Sequence, residues 1–583
     1  MRRKLRARKK AIVQSTESFN KTLERHIFRR THNWQNARRF LITWIVLVSL
    51  LAGGLLFQMR ILQAEYLTVS PIAGGVYNEG IVGDIKNINP IFAVTPADTA
   101  VSSLVFSSLL AYDQNNQLTG DLASDWKADA NSKKFTVTVR DNAFWHDGKP
   151  VTADDIVFTY QTIQNPDTKS PLYTTWRGVK VEKQDDKTVV FTLPNAYSPF
   201  LHLLTTGIIP KHLLENVAKD QLRSSTFNTE QAIGTGPFVL NSIDTENVSE
   251  QGGETVQLGK NTQYYRGNVQ LDGFTLRTYP DQKRVISALE NKDIVGAVAD
   301  VALPQESQYN VLRFTQTSAM MVFFNTTKPI MQDVKLRQAL LSAINPSVAS
   351  GVVGYPTVPV RSPILKDQVG YSDASLQQNP SPETTNKILN ELGWLWAEGD
   401  SYRKKDGKEL SIDFVSQNSG DYAKVAEEVQ KQWAQYGIKT NVTLEKAEDI
   451  STTRLATKEY DALLCAITIG PDPDVYVYWH SSQTKPDAKP GYNFSMYNSA
   501  KADQALEDGR SRTDPSLRAV KYKPFLDAWR QDVPAVGLYQ PRTTYVTSVP
   551  VYNLNEMTIN TAAERYRNVH NWQINTEKVT EAP

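Results

Sequence analysis

The alternation of apolar and polar positions divides the chain into recognisable pieces. Residues 40–59, FLITWIVLVSLLAGGLLFQM, carry no charged side chain. A helix of this length, rising about 1.5 Å per residue, spans the roughly 30 Å apolar layer of a bilayer. From about residue 72 the pattern becomes that of a globular protein. VSSLVFSSLLA (101–111) sets apolar residues at 101, 104, 105, 109 and 110, the spacing of one helix face. KKFTVTVRDN alternates Phe135, Val137 and Val139 against polar neighbours, and VKVEKQDDKTVVFTL predicts a hairpin turning at QDDK. KELSIDFVS alternates Leu410, Ile412 and Phe414. A helix then presents Val425, Val429, Trp433 and Tyr436 on one face, stops at Gly437, and leads into a strand at 438–444. Strand, helix and strand in that order predict a right-handed crossover in a largely parallel sheet. The fold class is therefore α/β, with a β-rich region near 115–195.

Charge sharpens the first of these pieces. The whole chain is +2, but residues 1–60 hold fourteen Lys and Arg against Glu17 and Glu24, which leaves about −10 on residues 61–583. Arg38 and Arg39 precede the apolar run, so the positive-inside rule predicts a cytoplasmic N-terminus and a single-pass protein of the cell membrane with an extracytoplasmic ectodomain. A cleaved signal peptide has a shorter apolar core and a small-residue cleavage site. Here the run is longer, and Leu62, not a small residue, stands two positions before the best candidate end at Ala64. A lipoprotein needs a Cys just after the run, and none is there. Topology and contact with anionic lipid account for the basic tail, so no nucleic-acid partner is expected. At 583 residues, several domains are expected outside the membrane.

Candidate chemistry is sparse. His146-Asp147 reads as part of a turn rather than a base and its orienter, because no second His is near it and the chain has only seven. In FWHDGKPVTADDIVF (144–158), Gly148 suits a turn and Thr152 a helix N-cap, with Asp154 and Asp155 in the first turn. PDPDVYVYW (471–479) lacks the Gly and closing Glu of a calcium loop, and GTGPF (234–238) is too short for a phosphate cradle. No G-x-S-x-G occurs. The single Cys465 lies in an apolar run and can form no internal disulfide. These residues predict a binding module rather than an enzyme, with no cofactor and no metal.

A colinear series of motifs resembles a known family. It runs through Gly74-Gly75, Asn89-Pro90, LLAYDQNNQLTGDLASDW (109–126), FWHDGKPVTADDIVF, IGTGPF (233–238), YYRG (264–267) and LDGFTLRTYPD (271–281). It continues through FFNTT (323–327), VKLRQALLSAI (334–344), PDPDVYVYWHSS (471–482), GYNFSMYNSAKAD (491–503) and QDVPAVGLYQP (531–541). Over residues 72–575 the chain is similar to the extracellular solute-binding proteins of ABC importers, family 5, whose members bind dipeptides, oligopeptides or nickel. The resemblance implies a two-lobed fold of the periplasmic-binding-protein type with an extra β-rich domain. Its segments would be a basic tail (1–39), transmembrane helix (40–59), tether (60–71), lobe I (72–108, 229–326 and 541–583), β-rich domain (109–228) and lobe II (327–540). It also implies a monomeric ectodomain that hands a peptide-like solute to ABC permease subunits with cytoplasmic ATPases.

By position, the resemblance places solute-binding segments at Val94, Thr95 and Pro96, at Asp300 and Val301, and at Cys465, Ala466, Ile467, Thr468 and Ile469. Peptide-binding relatives carry an Asp three residues before the D-P that matches Asp472-Pro473, where it meets the peptide's α-amino group. This chain has Ile469 there. Either Asp300 or Asp472 takes that role, or the solute lacks a free amine; a nickel complex, haem or oligosaccharide are the alternatives. A sensor signalling through the single helix is the reading from a different class.

Overall fold

The computed structural model describes residues 17, 18, 21, 34–244, 253–299, 306–418, 420–485 and 491–580. They fall into two compact units, residues 1–71 with 576–583, and residues 72–575. In the first, a helix runs Trp34–Tyr66, and its stretch Phe40–Arg60 is long and apolar enough to cross a membrane, with its apolar side chains exposed. The expected tether at 60–71 is instead the end of this helix followed by the strand Leu67–Ile72, paired with Asn575–Thr580. Local propensity explains the change, since ILQAEY is rich in helix formers and LTVSPI in β-branched residues.

The second unit is organised around three sheets. An eight-stranded sheet has the order Thr558–Ile559, Asn310–Gln316, Arg542–Thr547, Gly296–Val298, Val76–Val82, Gly273–Tyr279, Thr255–Lys260, Phe238–Asp244. A six-stranded sheet has the order Val358–Pro359, Ala535–Gln540, Ser318–Phe324, Ala462–Thr468, Ser411–Gln417, Lys439–Glu445. A four-stranded antiparallel sheet joins Ala123–Ala128, Lys134–Val139, Thr188–Thr192 and Lys180–Lys183. It shares one continuous apolar core with the eight-stranded sheet: Phe135, Val189 and Trp176 pack in the same cluster as Val101, Phe238 and Trp572.

The six-stranded sheet has a core on each face. Along Ser318–Phe324, Met320, Val322 and Phe324 enter one core while Ala319, Met321 and Phe323 enter the other. A strand buried on both faces reads as an unbroken apolar run, which SAMMVFF is. This strand corrects the expected lobe I boundary at 326: residues 318–324 already belong to the second sheet, and the chain leaves the first at Gln316. The chain returns to the first sheet between Gln540 and Arg542.

Local expectations met the structure unevenly. The crossover is present: Ser411–Gln417 pairs in parallel with Lys439–Glu445, the helix Gly420–Ala434 lies between them, and Gly437 ends the helical segment at φ +71°. The helix expected over 101–111 starts earlier, at Pro96, and ends at Val105, because Thr95 caps it and Phe106 turns to extended backbone. His146 proves to be a clamp. Its Nδ1 accepts from Gly234 N–H at 3.2 Å and its Nε2 donates to Gly236 O at 3.1 Å, a pairing that needs the neutral ring. Burial pushes its pKa down to about 4, against the Gly236 hydrogen bond and the charge of Asp147. Within the eight-stranded sheet, Glu79 is fully buried against Arg565; its carboxylate also accepts from the hydroxyls of Tyr545 and Tyr566, each at 2.6 Å. That knot ties the first, the returning and the last segments of the lobe together.

Thr152 begins the helix Ala153–Gln164, and Asp155 shares the capping work. Asp155 Oδ2 accepts from Thr152 N–H at 3.0 Å while Oδ1 accepts from Lys211 N–H at 2.9 Å. Thr152→Ala should therefore cost about 1 kcal/mol of unfolding free energy. Asp155→Ala should cost more, since it also strips a partner from the half-buried Lys211 N–H. Urea unfolding of the two variants checks the order, and equal losses would show that the bond to Lys211 contributes nothing.

Candidate functional site

In open sheets that contain parallel strands, ligands bind outside the carboxyl ends of those strands where the strand order reverses. The six-stranded sheet has one such place. From Ser411–Gln417 the chain crosses to one side, forming Lys439–Glu445, and then returns to the other side as Ala462–Thr468, also parallel. Ala462–Thr468 is covered along one edge by Ser318–Phe324 through all seven residues. On its other edge, pairing with Ser411–Gln417 stops at Leu463. Among the described residues, 464–468 thus form an extended segment with no strand paired along its second edge, and the Tyr478 hydroxyl donates to Thr468 O at 2.8 Å.

Side chains from four chain segments gather beside this edge. Asp421 and Tyr422 open the helix Gly420–Ala434, directly after the carboxyl end of Ser411–Gln417. The Tyr422 hydroxyl faces Ala466 N–H, and burial raises its pKa to about 12. Tyr355 donates to Asp421 Oδ2 at 2.8 Å, and its hydroxyl faces the backbone N–H of Arg542, where the chain re-enters the eight-stranded sheet. Tyr539 lies in register with Met320, and Met320 with Ala466, so the three share one face.

The residues expected to bind solute are divided between the lobes. Cys465–Ile469 all lie on or at the end of the open-edged strand. Alternation turns Ala466 toward the tyrosines and Cys465 and Ile467 toward the opposite core, where burial pushes the Cys465 thiol up to about 12. Ile469 is occupied: its N–H, like that of Gly470, donates to Thr317 O at the crossing between sheets (2.9 and 3.0 Å). Val94 is exposed, Thr95 Oγ1 accepts from Asp98 N–H at 3.0 Å, and Pro96 begins the helix, so these three form a cap on the first lobe rather than a strand. Asp300 and Val301 lie outside the described residues.

Asp472 does not stand ready for an ammonium. Arg518 grips it with two hydrogen bonds of 2.7 Å, and both side chains are buried. His202 Nε2, from the β-rich segment, lies 3.7 Å from the same carboxylate, and its Nδ1 is 2.9 Å from the Tyr112 hydroxyl. Asp474 pairs with Arg510 at 2.8 Å, and the Arg510 guanidinium stacks over Tyr476 and Tyr197. The PDPD motif is thus a junction between the β-rich segment and the second lobe. A cavity of about 440 Å3 lies away from the six-stranded sheet, between the helix Pro96–Val105, the β-rich segment and residues 561–570. Charged groups in it pair with one another, Arg567 with Glu564 and Arg266 with Asp121, so it offers no free charge to a solute.

Sequence reading did not single out Tyr355, Asp421, Tyr422, Tyr539 or Arg542 as functional. Only Asp421-Tyr422 carried a signal, the strand-to-helix junction of a crossover, and it becomes informative once the strand order is known.

The architecture and this site can be set beside known proteins. The family model described as bacterial extracellular solute-binding proteins, family 5 Middle, matches residues 117–488. Among curated relatives, the oligopeptide-binding protein AppA of Bacillus subtilis is 28% identical over 493 residues, covering 81% of this chain and 87% of its own. The probable D,D-dipeptide-binding periplasmic protein DdpA of Escherichia coli is 27% identical over 490 residues, covering 79% and 87%. Among solved structures, NikZ of Campylobacter jejuni in complex with Ni(L-His) superposes with a TM-score of 0.67 at 25% identity, covering 85% of this chain and 99% of its own. B. subtilis AppA with a nonapeptide gives a TM-score of 0.64 at 24% identity, covering 87% and 100%, and shows the shared fold. The chain belongs to the bacterial extracellular solute-binding proteins of family 5.

Proposed function

We propose that this protein is a membrane-anchored receptor that captures a peptide-like solute between its two lobes and delivers it to the permease of an ABC importer. It acts by binding alone, without a chemical step. The observation that carries the peptide reading is the open edge of residues 464–468. An extended backbone laid there gains main-chain hydrogen bonds without any reading of its side chains, as in other strand-addition complexes. The oligopeptide and dipeptide names of the relatives at 27–28% identity support the same class. The two crossings, at Thr317 and Pro541, are the places where one lobe can swing against the other and enclose the solute. The Phe40–Arg60 stretch supplies the anchor, with the basic tail on the cytoplasmic side, and leaves the ectodomain as a monomer beside its permease.

Ile469 favours a second reading, a small metal complex, since the acid that meets an α-amino group in peptide-binding relatives is missing and NikZ was solved with Ni(L-His). Full-length protein purified natively in detergent and opened by acid should release a mixture of short peptides, identified by mass spectrometry. Release of one metal chelate and no peptide would replace the first reading by the second. Asp472→Ala should lower unfolding free energy by about 3–5 kcal/mol, the cost of stranding a buried Arg518. Folded variant should keep its solute, and loss of solute at unchanged stability would place Asp472 in the binding site after all.

A further inference from the structure

One buried donor beside the open edge has no partner. Tyr539 is 0% exposed, yet among the described residues its hydroxyl makes no hydrogen bond. A buried hydroxyl left unpaired costs about 1–3 kcal/mol, so such groups are normally satisfied. The charges and hydroxyls around it are those of Tyr355, Asp421 and Tyr422. The Nε of Arg542, next to Tyr355, is a second buried donor without a partner among the described residues. Asp421 itself is only half-buried, and among the described residues its carboxylate accepts from Tyr355, with lone pairs to spare. A carboxylate (Asp421), an unpaired hydroxyl (Tyr539) and an unpaired guanidinium N–H (Arg542) therefore all neighbour Tyr355 at the carboxyl end of the crossover. The carboxylate and the phenol oxygen can both accept from a cation, and the guanidinium can donate to a neighbouring carbonyl oxygen.

That set matches the start of a peptide. We propose that Asp421 and Tyr539 hold the α-ammonium of the bound solute and Arg542 its first carbonyl oxygen. This substitutes for the missing acid at Ile469, and it rests on the peptide reading above. It also fixes a direction, for the amino end lies at the Asp421 side and the chain runs from there along residues 464–468. Solutes with a blocked amino end lose the ion pair and leave Asp421 partly desolvated without a counter-charge, which is the costly arrangement.

The test uses the full-length chain in detergent, stripped of solute, with two probes: an equimolar mixture of tetrapeptides and the same mixture N-acetylated. Retention is read by native mass spectrometry. The wild-type chain should prefer the free-amine mixture by about tenfold or more, as removal of one member of a desolvated charge pair does elsewhere. Asp421→Asn should erase that preference, and Tyr539→Phe, which deletes one oxygen, should weaken retention of the free-amine mixture several-fold with the acetylated mixture unaffected. If Asp421→Asn and Tyr539→Phe both keep the wild-type preference, the assignment of the amino end falls while peptide binding stands. If the wild-type chain retains neither mixture, the peptide reading falls and this assignment with it.

Discussion

The structure of the second unit depends on two single-residue crossings. The six-stranded sheet is reached from the eight-stranded one only through Thr317 and left only through Pro541, with strands ending at Gln316 and Gln540 and resuming at Ser318 and Arg542. The crossings are bonded to each other. Gln316 N–H donates to Pro541 O at 3.0 Å, Gln540 Nε2 to Gln316 O at 2.9 Å, and Gln316 Nε2 to Thr543 Oγ1 at 2.9 Å. Two adjacent, mutually bonded strands can bend together while sheets on either side move as rigid bodies. The same crossing anchors the end of the open-edged strand, because Thr317 O takes the N–H groups of Ile469 and Gly470.

Buried charge serves the scaffold, and the site is built from what it leaves over. Glu79 and Arg565 are buried and fully engaged, with three tyrosines around them. Asp472 with Arg518 and Asp474 with Arg510 are paired within the second lobe, where His202 and Tyr197 of the β-rich segment meet them. An ion pair of this kind contributes little net stability compared with apolar packing, but breaking one side of it is expensive. These pairs therefore fix geometry and are poor candidates for solute contacts. Asp421 differs in being half-buried, bonded to a tyrosine and set beside an unpartnered hydroxyl.

The fold was legible in sequence where local pattern decides it. The crossover at 411–445, the hairpin at 180–192 and the cap at Thr152 are written in periodicity and turn chemistry, and they formed as expected. Boundaries set by long-range pairing were not legible. Ser318–Phe324 joins the second sheet because strands 140 and 210 residues downstream flank it, which no local signal encodes. The site followed the same rule. The 465–469 segment was expected by resemblance, whereas Tyr355 and Tyr539 come beside Asp421 only through tertiary packing. Asp472 looked available because its partner, Arg518, lies 46 residues away in sequence.

The central claim is that the two sheets close on a solute about the paired crossings. Spin labels at Lys283 and Glu427, both exposed and one on each lobe, measure that directly in a Cys465→Ala background. Pulsed dipolar spectroscopy would compare the chain as purified with the chain unfolded, stripped and refolded. The account predicts one narrow distance in the loaded sample and a longer, broader distribution in the stripped one. Identical distributions in the two samples would contradict it.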